Sequence, residues 1–138
     1  MRPNFKNIRI EVISHRQQRY ETVGDWFFDA GGGLIIRVSD MGNWKYNVLV
    51  AMHELVEVLC CREDGVTQGQ VDRFDINYER KRKANDDSEP GDDPKAPYRK
   101  QHCLATGVER ILAAVLGVSW SDYDNAVKAA GEMKGKGI

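Results

Sequence analysis

Within VLVAMHELVEVLCC, residues 48–61, His53, Glu54 and Glu57 interrupt a nearly unbroken aliphatic run. An imidazole and two carboxylates held among apolar side chains cost free energy unless a partner satisfies them. His53 and Glu57 stand four residues apart, which on a helix stacks their side chains on one face, about 6 Å apart along the axis. An imidazole nitrogen and a carboxylate oxygen at that spacing can close on one divalent cation. Glu54 lies beside them, placed to take a proton from a water. The chemistry this pattern offers is metal-assisted hydrolysis of an amide or ester.

A third ligand has to come from elsewhere in the chain. In the segment 98–116, His102 and Glu109 lie on one stripe, about 10 Å apart along a helix axis. One of them can bind while the other orients a ligand. His102 is the first choice, since imidazole suits most first-row metals. Asp75, which shares a helix face with Asp72 and Glu79, is the second choice, together with Glu109. Zinc is the expected ion, and the oxygen ligand Glu57 also admits manganese, iron or magnesium. Two other arrangements compete: a buried polar network in which Arg99, Lys100 or Arg110 pairs with the wedge, and a zinc site from Cys61, Cys103 and His102. The second lacks the C-x-x-C spacing, and Cys60, Cys61 and Cys103 read more simply as small buried apolar residues.

The string His53-Glu54-Leu55-Val56-Glu57 is H-E-x-x-E, which resembles the H-E-x-x-H helix of the zincin metallopeptidases with glutamate at the second histidine. The resemblance implies His53 and Glu57 as ligands, Glu54 as the general base and a third ligand from a later helix. It also implies a motif helix that follows a small sheet. A second likeness joins Glu54-x-x-Glu57 to Asp72-x-x-Asp75, similar to the E-x-x-E…E-x-x-D signature of the all-α, MazG-like nucleotide pyrophosphohydrolases. These hold magnesium against a triphosphate. Here Asp72 replaces a glutamate, and the strand-rich first third is foreign to that fold. A third reading is a non-catalytic protein that binds a protein partner through a sheet edge.

Positioning these residues requires an α+β domain over 1–138, with a sheet at 5–39 and a helical part at 44–130. NIRIEVI alternates Ile8, Ile10 and Val12 inward against Arg9 and Glu11, and RYETV, DWFF and LIIRVS continue the strand material around the AGGG turn. About three strands, antiparallel, are expected. His15, among polar residues at a strand end, is expected to be exposed. A helix follows from about Trp44 to Cys61, capped by Asn43 or Asp40 and stopped by Gly65. A second spans about Thr67 to Lys83. The segment 84–97 carries three prolines and five acids and reads as a flexible loop. Its aspartates lack the alternating spacing of a calcium loop. The third helix spans about Tyr98 to Leu116, with Leu104, Val108, Ile111, Leu112 and Val115 as its core face. A fourth starts at Ser119 or Ser121, and 131–138 is a frayed tail.

Composition narrows the partners. At 138 residues, 41% hydrophobic and 30% charged, the chain can bury one core. A formal net charge of −1 gives no basic field for nucleic acid or an anionic membrane. No run approaches the ~20 apolar residues of a membrane span, and no leader is visible at the start. Three cysteines, two of them adjacent, make a poor disulfide framework, so a cytoplasmic location is expected. A peptide or small-molecule substrate, and a protein partner, remain.

Overall fold

In LIIRVS every residue except Arg37 is buried, as suits a strand covered on both faces. The computed structural model describes residues 4–135. It places Leu34–Ser39 (β3) between Ile8–Ile13 (β1) and Gly24–Phe28 (β2), in the order β1-β3-β2. β2 and β3 pair antiparallel across a turn in which Asp29 Oδ1 accepts from the N–H groups of Gly31 and Gly33. Gly32 takes a left-handed φ of 86° there.

β1 pairs with β3 in parallel, so the sheet is mixed and the all-antiparallel expectation is corrected. The chain does reverse between β1 and β2, as in a hairpin. Its connection is long enough, however, to leave room for β3 between them. RYETV belongs to this connection and forms no strand. Nor is His15 exposed. It is buried, with Nδ1 2.7 Å from Ser39 Oγ and Nε2 2.9 Å from Glu21, and it ties the connection to the end of β3.

Trp44–Asp64 (α1) is the central helix. Asn43 caps its start by accepting from the N–H groups of Lys45 and Tyr46, and Gly65 ends it with a φ of 75°. Leu49, Val50 and Val58 bury against Leu34, Ile36 and Val38 of the sheet. Gln68–Arg80 (α2) starts from a capping box of Thr67 and Gln70. After a 3-10 turn at Pro90–Asp92 come Arg99–Val115 (α3), packed along α1, and Trp120–Gly135 (α4). The expected frayed tail is helical as far as Gly135, and 136–138 lie outside the described residues. The described residues form an α+β fold of three strands and four helices. Among the described residues no helix is long and apolar enough to cross a membrane.

Two expected core faces are left uncovered. The register sets Ile8, Ile10 and Val12 on the same sheet face as Leu34, Ile36 and Val38, yet all three are about half exposed. α1 lies over β2 and β3 and leaves this edge strand uncovered. On α3, Leu104, Val108, Ile111 and Val115 are 42–75% exposed, and only Leu112 of the expected face packs against the core. The residues α3 buries are Gln101, His102, Ala105, Glu109 and Ala113. Its polar stripe meets the polar wedge of α1, and the apolar stripe is turned away. Of the cysteines, Cys61 is buried but Cys103 is exposed, against expectation.

Candidate metal centre

α1 turns His53, Glu54 and Glu57 inward, and all three are buried. α3 runs antiparallel beside it and brings His102 and Glu109 to the same place. His53 Nε2, Glu57 Oε2 and His102 Nδ1 are each 3.2 Å from the other two. Three atoms that can each offer a lone pair thus converge on one spot, within bonding reach of a single ion.

Each imidazole is held from behind. His53 Nδ1 is 2.7 Å from Glu109 Oε1, and Tyr123 donates its hydroxyl proton to the other Glu109 oxygen. With its proton on Nδ1, His53 turns the Nε2 lone pair toward the centre. His102 Nε2 lies 3.0 Å from Glu89 and 3.3 Å from Asp92, although neither carboxylate meets it at a hydrogen-bonding angle. Gly91 packs against this ring so closely that an added Cβ would sit 2.4 Å from His102 Nδ1. On the sheet side, Trp26 Nε1–H donates to Glu57 Oε1 at 3.0 Å.

Glu54 is the carboxylate left over. Its Oε2 lies 4.0 Å from His53 Nε2, and it takes part in no hydrogen bond among the described residues. A Cβ on Gly24 of β2 would come within 3.0 Å of its carboxyl carbon, so the bare backbone there makes its room.

Acidic groups outnumber basic ones around the centre. Glu54, Glu57, Glu89, Asp92 and Glu109 surround two imidazoles, and the cations that could have paired with them are used elsewhere. Arg99 donates to the Asp92 carbonyl, Lys100 faces Asp64, and Arg110 stacks over Trp120. The alternative network built on these three is therefore not formed. Burial opposes charge on both imidazoles, but hydrogen bonds to Glu109 and Glu57 hold His53 well above the usual imidazole value. Contacts with Glu57 and Glu89 likewise push His102 up to about 10. Burial also works against ionised Glu57, yet the bonds from His102 and His53 bring it down to about 2. Burial and the Glu57 charge drive Glu54 well above the carboxylate range. Without a cation, protons on the imidazoles compensate the carboxylates; a cation would displace them.

Asp75 is not part of this cluster. Tyr20 and Tyr98 both donate to it, and Asp72 is held by Arg19. No cysteine belongs to a metal-competent group among the described residues. Sequence reasoning missed Trp26, Tyr123, Glu89, Asp92 and Gly91. A signal was present for the last three: a Pro-Gly pair between acids fixes a backbone more than a solvated loop requires. No protein-family model matches the chain, and no curated protein or solved structure matches it at a significant level.

Proposed function

We propose that the chain is a metal-dependent hydrolase of zincin-like design, cutting a peptide or other amide bond. His53, Glu57 and His102 would hold the ion, and Glu54 would act as general base. The observation that carries this reading is the pairing of a convergent two-imidazole, one-carboxylate donor set with a separate carboxylate beside it that makes no hydrogen bond among the described residues. That donor set is the kind used for catalytic zinc, which keeps a position free for substrate; manganese, iron and magnesium are also compatible with it. A bound ion would supply a Lewis acid that polarises the scissile carbonyl and acidifies water.

The remaining work falls to side chains of this chain. With an ion bound, Glu109, itself held by Tyr123, would accept the Nδ1 proton of His53 and leave Nε2 to the centre, and Trp26 fixes the angle of Glu57. Glu54, which makes no hydrogen bond among the described residues, would accept a proton from water and return it to the leaving amine. Against the MazG-like reading, both aspartates of the second carboxylate pair already have partners away from the cluster.

Metal analysis of protein purified without chelator, alongside His53→Ala, tests the first half. Wild type should carry about one ion per chain and the variant little; equal content, or none in either, sinks the metal claim. Glu54→Gln tests the second half. It should retain the ion and lose turnover in a metal-supplemented screen of peptides and amides. Hydrolysis of nucleoside triphosphates but not amides would move the assignment to the pyrophosphohydrolase class.

A further inference from the structure

We propose that the apolar face shared by α1 and α3 docks a second copy of this chain, the two pairs of helices closing into a four-helix bundle about a two-fold axis. The proposal is independent of the metal reading.

α1 and α3 run antiparallel: Lys45 Nζ donates to the Leu116 carbonyl at one end, and Gln101 donates to Asp64 at the other. On α1, Val48, Met52, Leu55 and Leu59 repeat at intervals of four, three and four residues. On α3, Leu104, Val108, Ile111 and Val115 repeat at the same intervals. This is the spacing of knobs that enter holes on a facing helix. At about 100° per residue, each stripe lies roughly 110° from the side of its helix that meets the other. Because the helices are antiparallel, these rotations carry both stripes to the same side. The pair therefore presents one largely apolar surface, of which Leu59, Leu104, Val108, Ile111 and Val115 are the exposed part and Leu55 is partly packed into the core.

The middle of the face is also uncharged, with Lys100 and Glu63 one turn beyond Leu104 and Leu59 at one end. Between Gln101 and Val115 the charged residues are Glu109, which is buried, and Arg110, which lies over Trp120. Lys45 is drawn to the end of α3. An interface with an oppositely charged protein would need charges here. A second copy needs none, because a two-fold axis sets each stripe against a surface of its own kind. Two antiparallel helices with matched spacing are half of a four-helix bundle, and the same chain supplies the other half.

Area points the same way. Leu59, Leu104, Val108, Ile111 and Val115 are 41–75% exposed, which leaves on the order of 450 Å² of apolar surface, already the size of the largest patch on an ordinary monomer. Val48, Met52 and Leu55, each partly exposed, add to it, so the pair offers more than half of the ~800 Å² per partner of a standard interface.

Sedimentation equilibrium of the full chain, from micromolar to several hundred micromolar, reads the outcome. Wild type is expected at twice the chain mass. The doubly substituted Ile111→Glu, Val115→Glu protein is expected at once the chain mass, with an unchanged circular dichroism spectrum, since both side chains are largely exposed in the single chain. Leu59→Glu on α1 should give the same shift independently. Wild type at once the chain mass throughout the range would overturn the proposal and leave the face to a different partner. Variants that are folded and still at twice the chain mass would overturn it too, because the contact would then lie elsewhere.

Discussion

Asp75 shows how a carboxylate can sit near a metal-competent cluster and do other work. Burial, opposed by the Tyr98 hydroxyl and helped by the charge of Glu57, pushes it up to about 7. A carboxyl that holds its proton more tightly folded than unfolded adds stability below its unfolded pKa, about 4. That stability is lost as pH rises through about 7. Asp75→Asn is neutral throughout, so its melting temperature relative to wild type should climb between pH 5 and pH 8. A difference that stays flat across that window would show that Asp75 is ionised in the folded protein like any surface aspartate. The wedge of His53, Glu54 and Glu57 was legible because α1 carries no lysine or arginine from Tyr46 through Cys61, where a solvated face would have some. The partners Trp26 and Tyr123 were not: an aromatic residue reads as core from its type alone, and its single polar atom acquires a role only once the fold aims it.

At the scale of elements, helix positions were read closely and helix faces were not. Caps and stops are local chemistry, so Asn43 and Gly65 marked α1 well. Which side of α3 faces inward is decided by its neighbour. α1 offers imidazole and carboxylates, and the stripe that can answer them is His102 and Glu109, not Leu104 and Ile111. Apolar periodicity identifies a surface that avoids water without saying which partner removes it from water. The same blindness affected β1, where alternation gives the pleat but not the direction of the neighbouring strand. The turn at Pro90–Asp92 is the element whose effect on the centre can be tested most directly. Its Gly91 leaves no space for a methyl group beside His102, so Gly91→Ala should displace the ring and weaken metal binding by about 10–100-fold. Isothermal titration with zinc would check this, and wild-type affinity in the variant would mean that the ring has room to move.

For the molecule as a whole, the centre is a crossing point: Trp26, His53, Glu57, Glu89, His102, Glu109 and Tyr123 come from β2, α1, the residue capping the turn at Pro90–Asp92, α3 and α4. An ion bound there would stabilise the folded chain and find little to hold in the unfolded one. An ion at about a hundredfold over its dissociation constant adds about 2.7 kcal/mol, on the order of 10 °C in melting temperature for a chain of this length. Chelator should therefore lower the melting temperature of wild type and leave His53→Ala unmoved, whereas a wild-type curve indifferent to chelator and added metal would favour a purely structural cluster. The mixed sheet has a consequence of a different sort, in the order of events on the ribosome. β1 is synthesised first, but β3, the strand it pairs with, emerges only after β2. β2 meets β3 across a short turn, while β1 must wait for a much longer loop to close, and its backbone N–H and C=O groups have only water as partners in that interval. In this sheet, the strand made first is the strand whose partner comes latest.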